Sequence, residues 1–202
     1  MTKKDALKFY RDKRDFHRTP EPFGGKKATS GKPKFVIQKH DASTLHYNFR
    51  LEVGGVLKSW GVPKGPSTDP RQKRLAVPTE DHPLDYIDFE GVIPEGEYGA
   101  DTVLVWDTGT YENTNEESGK TISIKKAIED GHVKFWLKGE KIKGGYALIR
   151  TGKDKDERWL LVKMDDEEAD ASHDPVSTEP KSVLSGRTLE EIAEQEKEVG
   201  DK

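Results

Sequence analysis

Cysteine is absent from all 202 residues, which excludes disulfides, zinc ribbons and thiol nucleophiles. Apolar residues are few: 32% are hydrophobic against 36% charged, so part of the chain is expected outside any packed core. No apolar run approaches the roughly 18 residues of a membrane span, and the polar N-terminus has no signal-peptide pattern. A soluble, cytoplasmic protein without a membrane partner is the expectation. The sequence also lacks internal repeats and the glycine patterns of dinucleotide and P-loop sites. A core of about 130 residues nevertheless suffices to fold without cross-links.

Charge is unevenly placed. Residues 1–39 carry 12 Lys/Arg against 4 Asp/Glu, whereas residues 165–202 carry 4 against 13. A basic head can follow a phosphate backbone by releasing counterions, and an acidic tail is repelled by it. Solvation alone accounts for the tail more simply than a partner does. The net charge of −4 is therefore no argument against a nucleic-acid substrate.

The central part of the chain reads as short strands separated by turns. Residues 1–15 suggest a short basic helix, and Thr19–Pro33, rich in proline, glycine and lysine, an extended arm with almost nothing to bury. Strands are expected from Phe35, from His46 to Val53 and, after the Gly54-Gly55 turn, from Val56 to Val62. Further strands are Leu75–Val77, Val92–Pro94, Thr102–Asp107, Val133–Leu137, Tyr146–Arg150 and Trp159–Lys163. Gly109–Tyr111 is read as a turn into a hydrophilic loop, Ser123–Asp130 as a short helix or turn, and Thr188–Val199 as a surface helix. Trp60, Trp106, Trp136 and Trp159 are expected in the core. Seven to nine such strands without βα alternation indicate an all-β fold with minor α, a barrel or a sandwich. The organisation read from this is a basic arm over 1–32, a β domain over 33–166 and an acidic tail over 167–202.

One stretch carries unusual chemistry. In HDASTLHYNFRL, Tyr47, Phe49 and Leu51 alternate with His46, Asn48 and Arg50, so a strand has one apolar face and one face bearing imidazole, amide and guanidinium. His40, His46 and Asn48 form an H-x5-H-x-N set of nitrogen and oxygen donors suited to Mn, Zn, Fe or Ni. His82 lies in TEDHPLDY, where Glu80 is placed to orient it and Tyr86 follows four residues later. His17, His132 and His173 have no supporting groups.

These residues stand in longer segments, QKHDASTLHYNFRLE, SWGVPKGPS, KRLAVPTEDHPLDYIDFEGVIPEGEYGADTV and WLLVKM, that resemble the 3′-phosphoesterase module of bacterial DNA ligase D. The likeness runs from about Arg14 to Met164, and a chain beginning at Met1 without ligase or polymerase segments resembles the free-standing form. The resemblance implies a compact closed β-barrel of about eight strands with its active site in a surface groove. It also implies an enzyme dependent on Mn2+, with Zn2+ or Co2+ as other candidates. Such an enzyme acts on DNA primer–templates or break ends bearing a 3′-ribonucleotide or a 3′-phosphate. The ribonucleotide is removed to leave a 3′-phosphate, and the phosphate to leave a 3′-hydroxyl. A monomer working with a separate ligase, polymerase and end-joining proteins is implied.

By the same resemblance, His40, His46 and Asn48 are metal ligands, with Asn48 standing where the family typically has a carboxylate. Arg50, His82, Tyr86 and Glu80 are catalytic candidates; Gln38, Lys64 and Arg74 are substrate-binding candidates. RDFHRTPEP resembles a segment that assists ribonucleotide removal through Arg14, Asp15 and Glu21. The competing readings are another metal-dependent nuclease or cyclic phosphodiesterase, and a non-catalytic nucleic-acid-binding barrel.

Overall fold

The computed structural model describes residues 5–26, 28, 30–152 and 156–200, with the side chains of 198–200 outside that description. The expected N-terminal helix is a single short turn-and-a-half, α1 (Lys8–Asp12); residues 1–4 of that reading lie outside the described residues. Strands follow in the order β1 (Lys34–Asp41), β2 (Leu45–Val53), β3 (Val56–Val62), β4 (Lys73–His82), β5 (Gly91–Ile93) and β6 (Asp101–Asn113). A small hairpin, β7 (Glu116–Glu117) and β8 (Lys120–Thr121), leads to α2 (Ile124–Asp130). The chain continues through β9 (His132–Gly139), β10 (Lys143–Arg150), β11 (Trp159–Lys163), α3 (Pro175–Thr178) and α4 (Leu189–Gly200).

The sheet order β1-β2-β3-β4-β11-β10-β9-β6, with β1 pairing back onto β6, closes an eight-stranded antiparallel barrel; β5 is an additional strand on β6. Closure leaves the barrel no free edge to aggregate. Alternation along each strand fills the interior with Phe35, Ile37, Phe49, Trp60, Trp106, Phe135, Leu148 and Trp159, while Trp136 turns outward. No described helix is long and apolar enough to cross a membrane.

Three expectations need correction. β4 spans ten residues rather than Leu75–Val77, so Glu80 and His82 belong to a strand and not to a loop. β6 runs straight through Gly109–Tyr111. Gly109 is there for close approach, since a Cβ would meet the Lys138 carbonyl oxygen at 2.0 Å. The arm does have something to bury: Tyr10 is fully buried and Thr19 and Glu21 nearly so.

The tail also docks. Trp106 Nε1 donates to Glu179 O at 2.7 Å, Val183 N donates to Val105 O at 3.0 Å, and Leu189 and Ile192 join the core. α4 begins with a reciprocal cap, Thr188 N to Glu191 Oε2 at 2.8 Å and Glu191 N to Thr188 Oγ1 at 3.3 Å.

A second apolar cluster lies outside the barrel wall. Tyr10, Val36, Leu57, Leu84, Tyr86, Ile87, Phe89, Ile93, Val103 and Val105 pack together there. The N-terminal segment and the 3-10 turn Leu84–Asp88 thus cover one outer face of the barrel, and the polar face of β2 is enclosed rather than solvated.

Candidate active site

Hairpin register brings the unusual residues together. β1 and β2 pair so that His40 faces His46, Gln38 faces Asn48 and Val36 faces Arg50. The two imidazole rings stand 4.9 Å apart. On the other side, β2 pairs with β3 so that Arg50 faces Ser59. His82, at the end of β4, faces Leu57, and Pro83 (ψ 153°) keeps the chain extended into the Leu84–Asp88 turn that carries Tyr86.

These side chains line an open cleft of about 280 Å³. His40, His46, Asn48, Arg50, Glu80, His82 and Tyr86 line it, with Arg14 and Glu21 from the arm. Gln38 lies beneath, fully buried. Asp15, Lys64 and Arg74 do not line the cleft. Asp15 is exposed and accepts from His17 N at 3.0 Å, Lys64 is exposed in the turn after β3, and Arg74 is half-buried on β4.

Arg50 is the central cation. Its Nε donates to Gln38 Oε1 at 2.8 Å and its Nη1 to Ser59 Oγ at 2.8 Å, and its guanidinium lies 5.0 Å from the Tyr86 ring centroid. Gln38 is itself fixed, its Nε2 donating to Tyr86 O and Phe89 O at 3.0 and 3.1 Å. Burial brings the Arg50 guanidinium down to about 10, so it remains charged at neutral pH. Among the described residues no carboxylate forms an ion pair with it, because Glu21 and Glu80 are taken by Arg14. A buried cation held rigidly, facing a cleft and without an ion-paired carboxylate among the described residues is suited to receive an anion.

His82 is nearly fully buried. Burial, and then the charges of Arg50 and Arg14, hold its imidazole well below the usual histidine range, and Nδ1 donates to Glu80 O at 2.9 Å. Glu80 therefore orients His82 through its backbone carbonyl rather than its side chain. That tautomer leaves Nε2 as a lone pair. The Glu80 carboxylate instead approaches Arg14 Nη1 at 3.3 Å and Lys13 Nζ at 3.4 Å.

Glu21, with a fully buried side chain, ties arm to wall. It accepts from Arg14 Nε at 2.9 Å, Thr19 Oγ1 at 3.0 Å and the Tyr86 hydroxyl at 2.8 Å. Burial and then Glu21 push the Tyr86 phenol well above its ordinary range, so it stays a donor.

At the far end, His46 Nδ1 donates to Thr44 O at 2.9 Å, and its other ring nitrogen, Nε2, lies beside Asn48. Asn48 Nδ2 lies 3.4 Å from that nitrogen, and a half-turn of the amide would exchange it for oxygen. His40 Nε2 bonds Gly99 O at 2.9 Å. Burial, and then His46, hold the His40 imidazole down to about 4, so it is neutral. Among the described residues no three of His, Cys, Asp or Glu converge, so an amide is the third donor of any cation site here. Two imidazoles and an amide, with each imidazole held by a backbone carbonyl, fit a borderline divalent ion.

Ser59 and Tyr10 are neighbours of Arg50 and His82 that the motif reading passed over. Ser59 was findable, since the Gly54-Gly55 turn sets it opposite Arg50. Tyr10 had no such signal: its ring meets His82 at 5.0 Å only through tertiary packing.

Comparison with known proteins agrees with this architecture. Residues 38–150, more than half of the chain, match the model of the DNA Ligase D 3′-phosphoesterase domain. The chain is 50% identical over 194 residues to the "Multifunctional non-homologous end joining protein LigD" of Pseudomonas aeruginosa, covering 94% of this chain and 22% of that protein. It is 46% identical over 161 residues to the "Multifunctional non-homologous end joining DNA repair protein LigD" of Mycobacterium tuberculosis, covering 79% and 20%. For the Mycolicibacterium smegmatis protein LigD the values are 43% over 164 residues, 81% and 21%. The chain thus spans about a fifth of the length of these curated relatives. With its barrel, its cleft and this match, the chain belongs to the DNA Ligase D 3′-phosphoesterase domain family.

Proposed function

We propose that the protein is a Mn2+-dependent 3′-end phosphoesterase of DNA, acting on break ends or primer–templates in end-joining repair. It removes a 3′-terminal ribonucleotide to leave a 3′-phosphate, and then removes that phosphate. The observation that carries this reading is the buried Arg50, ion-paired to no carboxylate among the described residues, beside a neutral His82 and on the same hairpin as the His40–His46 pair.

His40, His46 and Asn48 would hold the ion. When bound there, it would supply Lewis-acid polarisation of a phosphoryl oxygen. Arg50, already bonded on Nε and Nη1, presents the rest of its guanidinium to a non-bridging oxygen, with no rotamer search to complete. His82 enters the reaction neutral with Nε2 as acceptor, so it takes the proton of the attacking water or ribose hydroxyl as the new P–O bond forms and returns it to the leaving oxygen as the old P–O bond breaks. Tyr86 keeps its own proton on Glu21 and braces the Arg50 guanidinium with its ring face.

The test is a 5′-labelled primer–template ending in one ribonucleotide, incubated with Mn2+ or with chelator. Stepwise appearance of 3′-phosphate and then 3′-hydroxyl products in Mn2+ alone is expected. Cleavage within the strand, away from the 3′ end, would reject the reading.

A further inference from the structure

Tyr98 stands at the lip of the same cleft and has no part in the mechanism above. Its ring is 47% exposed, which for one tyrosine alone would mean little. What sets it apart is how firmly its turn is held. Gly96 and Gly99 flank it at φ of +87° and +77°, a backbone that side-chain-bearing residues rarely adopt. Glu97 N donates to Pro94 O and Ala100 N to Glu97 O, both at 3.1 Å. Arg18 Nη1 pairs with Glu97 at 3.0 Å, pinning the turn to the arm. The next residue, Gly99, supplies the carbonyl that bonds His40.

Two cations attend the ring. Lys13 Nζ lies 4.4 Å from its centroid and donates to its hydroxyl at 3.2 Å, and the Arg14 guanidinium lies 5.4 Å from the centroid. A fixed, half-exposed aromatic ring with cations over it is an arrangement that receives a nucleobase, the base stacking on ring area that Lys13 now covers and the charges turning to the backbone. Its neighbours give the side of the cleft. Lys13 and Arg14 also hold the Glu80 carboxylate, which lines the cleft and can accept from a ribose hydroxyl. A 3′-phosphate end has no nucleoside beyond the phosphate, whereas a terminal ribonucleotide does.

We propose that Tyr98 is the stacking platform for the base of the terminal nucleoside that leaves during ribonucleotide removal. The inference rests on the phosphoesterase reading above. It makes Tyr98 a substrate-positioning residue for the first reaction and not for the second.

Steady-state kinetics of the full chain with Mn2+ test it. One primer–template ends in a ribonucleotide, a second in the same sugar without a base, and a third in a 3′-phosphate. For Tyr98→Leu, KM for ribonucleotide removal is expected to rise about tenfold with kcat within about twofold, the effect of losing one stacked base. Removal of the 3′-phosphate stays at the wild-type rate, and Tyr98→Trp behaves as wild type. Omitting the base costs the wild type the same factor and costs Tyr98→Leu nothing more. Equal losses on all substrates, independent losses that multiply, or no loss at all in Tyr98→Leu would overturn the proposal while leaving the phosphoesterase reading intact. A wild type inert on both the ribonucleotide and the phosphate substrates would reject that reading and the Tyr98 role with it.

Discussion

The Tyr86 hydroxyl donates to Glu21 Oε1 at 2.8 Å, across 65 residues of sequence. This bond fastens the N-terminal segment onto the wall that carries Arg50, and both partners are buried. Tyr86→Phe should cost roughly 2 kcal/mol, the worth of a hydrogen bond to a charged group. Glu21→Ala should cost more, about 3 kcal/mol, because buried Arg14 loses its nearer carboxylate and keeps only the longer ion pair to Glu80 among the described residues. Urea unfolding of the two single variants and the double variant checks this; additive losses would mean that the two residues do not act together.

Removing residues 1–32 should do more than lower DNA affinity. Tyr10 and Glu21 are buried parts of the outer cluster, so the truncated chain should bind a hydrophobic dye and unfold at lower temperature. An unchanged melting temperature would show that the segment is an appendage.

Arg50→Met tests the anion receptor. In the wild type, inorganic phosphate should raise the melting temperature by mass action, about 2.7 kcal/mol at a hundredfold excess over Kd. The variant should lose that response and about a hundredfold or more in kcat. A phosphate-induced shift that survives the substitution would place the anion elsewhere.

Acid should destabilise the metal-free protein. His40 is neutral when folded, with its pKa lowered from 6.5 to about 4 chiefly by burial, and His82 is lowered in the same direction. The unfolded chain therefore binds the extra protons, so this stability is fully present above about pH 6.5 and is lost as pH falls toward 4. For His40 alone the loss is on the order of 3 kcal/mol. Urea midpoints measured from pH 7.5 down to 4.5 should fall, and His40→Gln should flatten the profile. A flat wild-type profile would contradict the buried neutral imidazoles.

Asn48→Asp should tighten Mn2+ binding. The amide brings oxygen without charge, whereas a carboxylate at this place, 3.4 Å from His46 Nε2, adds a negative charge to the two imidazole ligands. Calorimetric titration should show about a tenfold gain in affinity, or roughly 1.4 kcal/mol. Equal or weaker binding by the Asp variant would remove Asn48 from the ligand set.

Much of this was determined by sequence alone. Period-two alternation placed Tyr47, Phe49 and Leu51 in the core and His46, Asn48 and Arg50 on the opposite face, because successive strand side chains must alternate. The family segments carried the closed barrel and its cleft. Tertiary structure decided what alternation cannot encode. It extended β4 and β6 through residues that look like loop and turn, since ladder pairing and a backbone-to-backbone approach at Gly109 outweigh local propensity. It also enclosed the polar face of β2 under Tyr10, Glu21 and Tyr86, and so left Arg50 buried and charged with no carboxylate partner among the described residues. A guanidinium read from sequence is simply a donor; desolvation and the diversion of Glu21 and Glu80 to Arg14 suit this one to an anion.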